Sequence, residues 1–163
     1  MTNYWQIAHR KISPKQLSFA VVKHSSAGRL RGEAMAYVIL ADDDPLLCEL
    51  VEFKLAAAGH RVRVVADGEM ALEAAGETKP DLMIIDSMMP VLSGPQLLSR
   101  LKASPATASI PVIMLTARKA RDDVVGALEA GADDYITKPF IPEEFNLRVR
   151  AVLRKYGIVD VAP

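Results

Sequence analysis

Asp81-Leu82-Met83-Ile84-Ile85-Asp86-Ser87-Met88-Met89-Pro90 is the stretch whose reading decides the fold. Residues 82–85 are wholly apolar, a carboxylate follows at Asp86, and a turn with Pro90 comes directly after. An apolar run of this length between helical patterns predicts a strand covered on both faces, as in a parallel sheet. Ligands of open parallel sheets bind beyond the carboxyl ends of the strands, so Asp86 stands where chemistry is expected. Taken alone, an Asp after a strand is most often a turn residue or a helix cap. Other strand ends in this chain favour the functional reading.

The pattern repeats on both sides of that stretch. Residues 37–41 are apolar, rich in β-branched types, and run into Asp42-Asp43-Asp44-Pro45. Leu46, Leu47, Leu50, Val51 and Leu55 then recur at helical spacing, with Asp44 placed to cap the helix, Pro45 to open it and Gly59 to close it. Residues 61–65 read as a second strand and residues 68–75 as a helix. Beyond the Asp86 strand, Ser93-Gly94-Pro95 start a helix that runs to about Lys102. Residues 111–115 form a fourth strand ending in Thr116-Ala117, followed by a helix over 121–130 that Gly131 stops. Residues 135–137 form a fifth, ending in Lys138-Pro139, and residues 142–155 a last helix with Phe145, Val149 and Val152 on its inner stripe. Five strands alternating with five helices predict a doubly wound α/β sheet, helices on both faces and crossovers right-handed. Cys48 falls beside core positions of the first helix, where packing is its expected role.

Length and charge bound the rest. A chain of 163 residues, half of them hydrophobic, holds one domain and an appendage. Twenty basic and twenty acidic residues cancel, but unevenly. Residues 1–34 carry Arg10, Lys11, Lys15, Lys23, Arg29 and Arg31 against Glu33, a net +5, so the remainder carries −5. The single cysteine fits a reducing compartment, and no apolar run approaches the ~18–20 residues that span a bilayer. We therefore expect a soluble protein of a reducing compartment. The expected organisation is a basic, flexible extension over 1–34, a domain over 35–157 and a tail over 158–163. The extension's composition also suits an organellar transit peptide, or a basic tail for an acidic partner, nucleic acid or anionic lipid. Its plainest reading is that translation begins at Met35.

A parallel sheet brings the ends of its strands to one edge, which gathers Asp42, Asp43 and Asp86 with Thr116 and Lys138. Clustered carboxylates raise one another's pKa unless a cation intervenes. With no Cys or His pattern to offer soft ligands, the expected cation is a hard one, Mg²⁺ or Mn²⁺. Lys138 and the Thr116 hydroxyl would hold phosphoryl oxygens, leaving a carboxylate as nucleophile.

These motifs resemble the response-regulator receiver domain of two-component signalling. The resemblance rests on Asp42-Asp43-Asp44-Pro45, Asp86 with Met89-Pro90 and Gly94, Thr116-Ala117, and the run from Gly131 to Phe140. It implies a flavodoxin-like strand order, 2-1-3-4-5. Asp86 would accept a phosphoryl group from a phosphohistidine on a histidine kinase or histidine phosphotransfer protein. Asp43, Asp86 and the Met88 backbone carbonyl would ligate Mg²⁺ (or Mn²⁺), with Asp42 acting mainly through water. Lys138 would pair with the phosphoryl oxygens, its bond to Pro139 being cis. Ser87 departs from the family's usual aliphatic residue, with little effect expected.

The resemblance also implies the output. Thr116 would move towards the phosphoryl group and Tyr135 would rotate inward behind it, a local charge event biasing a bistable element. The stretch is similar to receivers of winged-helix transcription regulators, which dimerise through the fourth helix, fifth strand and fifth helix. Asp122, Asp123, Asp133 and Asp134 would there face Arg148, Arg150 and Arg154 of a twin subunit. Met88 and Arg118 flank the path of the hydrolytic water, and neither would orient it, so slow dephosphorylation is expected. With no output domain before Pro163, a stand-alone receiver acting through protein contacts is the favoured reading. It is not expected to be an enzyme or to engage a membrane or nucleic acid. Two alternatives remain. A nucleic-acid regulator would use the basic extension. A magnesium-dependent aspartyl phosphohydrolase would carry an acid/base Asp where this chain has Met88.

Overall fold

The computed structural model describes residues 36–117 and 129–158. Strands β1 (Tyr37–Ala41), β2 (Arg61–Val65), β3 (Leu82–Asp86), β4 (Val112–Thr116) and β5 (Asp134–Thr137) pair in parallel, in the order β2-β1-β3-β4-β5. Helices α1 (Pro45–Ala57), α2 (Gly68–Glu77), α3 (Gly94–Ala103) and α4 (Pro142–Lys155) connect or follow them. The chain leaves β1 in one direction to β2 and returns past it to β3, so the strand order reverses there and a crevice opens at the carboxyl ends. This is the expected doubly wound sheet. The helix expected over 121–130 falls, but for its last residues, outside the described residues, as do residues 1–34 and 159–163.

Alternation along the strands divides the core into two. Ile39, Ala41, Met83, Ile85, Val112 and Met114 pack with Ala71 and Ala74 of α2 and Leu97, Leu98 and Leu101 of α3. Val38, Leu40, Leu82, Ile84, Ile113, Leu115 and Ile136 pack with Cys48, Val51 and Leu55 of α1 and Phe145, Val149 and Val152 of α4. Successive side chains of a strand point to opposite faces, and that period of two places the functional residues. Asp42, Asp86 and Lys138 each stand two positions beyond a residue of the second set: Leu40, Ile84 and Ile136. Thr116 stands two beyond Met114, in the first.

The helix ends follow local chemistry. Asp44 accepts from the Leu46 and Leu47 amides at 3.0 and 3.3 Å, Pro45 fills the first helical position, and Gly59 takes a φ of 83° beyond the last turn. The leucine stripe expected to face inward on α1 is only partly buried. Leu46 and Leu50 face outward with Phe53, because the sheet receives Cys48, Val51 and Leu55. An apolar stripe five leucines and valines wide is broader than the face a sheet can cover.

Asp133 ties the C-terminal end of α4 to the sheet. Its carboxylate accepts from Lys155 Nζ at 2.8 Å, Tyr156 Oη at 2.7 Å and the Val112 amide at 3.1 Å. Burial alone would raise its pKa, but the bonds from Lys155, Tyr156 and Val112 outweigh it and hold the carboxyl below its ordinary 3.8. A depressed native pKa stabilises the fold above the unfolded value, and that contribution disappears as pH falls through the native one. Asp133→Asn is therefore expected to be less stable than wild type at pH 7, with the gap closing below about pH 4. Denaturant titrations stepped downward from pH 7 check this; a gap that does not narrow as the pH falls would assign the loss to packing.

Candidate functional site

The carboxyl edge of the sheet collects the expected charges. Lys138 Nζ lies 2.6 Å from Asp42 Oδ2 and 2.8 Å from Asp86 Oδ1. Asp42 and Asp86 are buried, whereas Asp43, one residue along and on the opposite phase, is exposed. One oxygen from each of the three carboxylates falls within 4.8 Å of the others. The Lys138–Pro139 peptide is cis, as expected.

Lys138 is the cation that intervenes between the acids in this form of the protein. Burial works against its ammonium, but the bonds to Asp42 and Asp86 outweigh that and raise its pKa above 10.5, so it is charged at neutral pH. Burial pushes the Asp42 carboxyl up; the bonds from Lys138 and the Asp44 amide pull it back only in part, and the charge on Asp86 adds to the rise. Two buried carboxylates on one lysine remain short of positive charge. The donors are hard oxygens at mutual distances one ion can bridge, which fits Mg²⁺ or Mn²⁺.

The surrounding backbone fixes the end of β3. The Met88 amide donates to Asp86 Oδ2 at 2.9 Å, which brings the Met88 backbone to the carboxylate while 59% of the residue stays exposed. The Ser87 amide extends the ladder to the Leu115 carbonyl at 2.8 Å, and the Gly94 amide closes the following loop onto the Ser87 carbonyl at 3.3 Å. Within that loop the Leu92 amide bonds the Pro90 carbonyl at 2.7 Å across Val91, a β-branched residue at φ 65° with 78% of its surface exposed. A left-handed backbone is unfavourable for such a side chain. Nothing local in the sequence signals this strain.

Thr116 is 1% exposed, and Tyr135 is half-buried against the core set that Thr116 extends. Arg118, expected beside the hydrolytic path, lies outside the described residues, as do Asp122 and Asp123. Asp134 and Arg148, expected to meet across a dimer, bond each other within one chain at 3.0 Å, and Arg148 also holds Glu144. Two contacts escaped the sequence reading. Ser87 Oγ donates to Thr116 Oγ1 at 2.8 Å. The Cys48 thiol donates to the Asp42 carbonyl at 3.3 Å, and burial pushes its pKa up to about 11, so it stays a protonated donor.

Fold and site define a flavodoxin-like domain with a lysine-braced acidic crevice at the carboxyl edge of its sheet. Residues 38–150 match the response regulator receiver domain family, and the chain belongs to it. It is 42% identical over 118 residues to the DNA-binding response regulator MtrA of Mycolicibacterium smegmatis, covering 72% of this chain and 50% of the relative. The chain spans about half the length of the curated relatives it matches. Among solved structures, the receiver domain of a Francisella response regulator superposes with a TM-score of 0.70 at 33% identity, covering 74% of this chain and 98% of that one. The receiver domain of the sensor histidine kinase PA1611 from Pseudomonas aeruginosa, with magnesium coordinated in its active-site cleft, gives a TM-score of 0.68 at 30% identity over the same shares. The match places this chain in phosphorylation-based two-component signalling.

Proposed function

We propose that Asp86 is the phosphoacceptor, taking a phosphoryl group from a phosphohistidine of a histidine kinase or histidine phosphotransfer protein. The observation that carries this reading is the pairing of Lys138 with both Asp42 and Asp86 at 2.6 and 2.8 Å. An Asp86 oxygen attacks phosphorus, the phosphorus–nitrogen bond breaks, and the imidazole leaves with the electron pair and takes up a proton. Lys138 swings from the carboxylates to the phosphoryl oxygens and offsets their added charge. Asp43, Asp86 and the Met88 carbonyl would hold Mg²⁺, with Asp42 engaging it through water. The ion, when bound, neutralises charge developing on the transferred group.

Thr116 and Tyr135 carry the signal outward in this reading: Thr116 follows the new oxygens and Tyr135 fills the space it leaves. The surface thereby changed is the one bearing Asp134 and Arg148, and dimerisation through it requires those two to exchange their partner within the chain for one across the interface. Similarity to DNA-binding response regulators withdraws our expectation that nucleic acid is not a partner, and DNA belongs among the outputs to assay. Among the described residues no helix is long and apolar enough to cross a membrane. Similarity to response regulators of Pseudomonas aeruginosa and Bacillus subtilis supports placing the protein in the bacterial cytoplasm.

The test is intact mass after incubation with acetyl phosphate and Mg²⁺. One phosphoryl adduct, lost when EDTA replaces Mg²⁺, is expected; no adduct with any phosphodonor would overturn the reading. Met88→Asn is expected to shorten the adduct's lifetime, since a carboxamide at the exposed mouth can orient water where a thioether cannot. An unchanged decay rate would take that role from position 88.

A further inference from the structure

We propose that Ser87 is a positioning residue: its hydroxyl holds Thr116 in the phosphate-free arrangement and sets how much phosphorylation must overcome to switch the domain. The inference rests on the reading of Asp86 and Thr116 given above, and deepens it.

Three observations carry it. Ser87 Oγ donates to Thr116 Oγ1 at 2.8 Å, and this contact joins two strands through residues 29 positions apart. Both backbones are fixed. Asp86 pairs with Leu115 in register, so the next step sets Ser87 opposite Thr116, with the Ser87 amide on the Leu115 carbonyl and the Ser87 carbonyl holding the Gly94 amide. Thr116 is almost fully buried and Ser87 half-buried, so water competes poorly for the bond. Ser87 also follows Asp86 directly, on the opposite phase of the strand. It therefore reaches Thr116 without touching the acceptor carboxylate, and its effect on the site passes through Thr116.

In the switch read above, Thr116 carries its hydroxyl to a phosphoryl oxygen on Asp86 and gives up the bond it makes with Ser87. The bond therefore belongs to the phosphate-free state, and its loss is a cost of switching. A neutral hydrogen bond of this kind shifts a two-state equilibrium by about fivefold. A ligand that requires the switched state binds in proportion to the fraction already switched. Removing the Ser87 hydroxyl should thus tighten binding of a phosphoryl mimic by about fivefold. Mg²⁺ alone, which meets the carboxylates and not Thr116, should bind as before.

The experiment is calorimetric titration of the full chain with Mg²⁺ alone, and with beryllium fluoride in saturating Mg²⁺. It uses wild type, Ser87→Ala, Thr116→Val and the double variant. The expected result is tighter beryllium fluoride binding by Ser87→Ala, with unchanged Mg²⁺ affinity and no effect of Ser87→Ala once Thr116→Val is present. Unchanged or weaker binding by Ser87→Ala overturns the proposal, and so does an equal effect in the Thr116→Val background, which would show that Ser87 acts elsewhere. Ser87→Thr keeps the hydroxyl and should keep the wild-type affinity; tightening there too would point to altered packing. If wild type itself binds no beryllium fluoride, the phosphoacceptor reading fails and this inference falls with it. If wild type binds and Ser87→Ala matches it, only the role of Ser87 is lost.

Discussion

Asp86→Asn is expected to take up no phosphoryl group from acetyl phosphate and Mg²⁺, with its intact mass unchanged while wild type gains a single adduct. The substitution keeps the size of the side chain and an oxygen that can accept from the Met88 amide, so the turn after β3 keeps its bond. Lys138 keeps its 2.6 Å partner in Asp42 and stays satisfied. The two surviving carboxylates lose a like-charged neighbour, which relieves the pressure that Asp86 adds to Asp42. The fold should therefore persist while the nucleophile is gone, because a carboxamide oxygen lacks the charge and basicity to attack phosphorus. An adduct that survives would move the acceptor to Asp42 or Asp43, and peptide mapping would distinguish them.

Gly94→Ala is expected to cause the largest loss of stability among single substitutions near the site. A Cβ at this position would collide with the backbone carbonyl oxygen of Asp86 and come within 2.8 Å of Ser87 Cα. Both partners are main chain at the end of β3, which the β1 and β4 ladders hold on either side, so neither can rotate away as a flexible side chain would. Overpacking of this kind costs about 3 kcal/mol, visible in urea denaturation as a lower midpoint with an unchanged slope. Where β3 yields, Asp86 is displaced, and phosphoryl uptake should fall together with stability. A loss below about 1 kcal/mol would mean that the start of α3 backs away from β3 at little expense.

The legibility of this site in the sequence follows from the nature of its signals. Asp42, Asp86 and Lys138 could be read because each is a charge set at the end of an apolar run, and a parallel sheet brings such ends together. Asp44, Pro45 and Gly59 could be read because caps act over a few residues. Ser87 to Thr116 could not: the bond depends on the register between β3 and β4, and each hydroxyl is unremarked in its own neighbourhood. The Cys48 thiol reaches the Asp42 carbonyl locally, across the turn into α1, but a thiol donor there has no capping pattern to announce it. The pairing of Arg148 with Asp134 was open to two outcomes, one chain or two, and composition alone does not choose between them. Leu46 and Leu50 mark the opposite error, apolar residues on a helical stripe that the sheet does not reach.

The placement of Asp42, Asp86 and Lys138 by alternation has a consequence for how such a chain tolerates insertions. What they share is parity counted from the core. Deleting one residue inside β3 would turn Asp86 towards α2 and α3 and carry Ile84 with it to that face, erasing the chemistry and mismatching both halves of the core at once. Lengthening a connection leaves that parity untouched, because each strand restarts its own count where it enters the sheet. Length variation is therefore admissible between the strands and forbidden within them, and the sheet acts as a reading frame for its own active site.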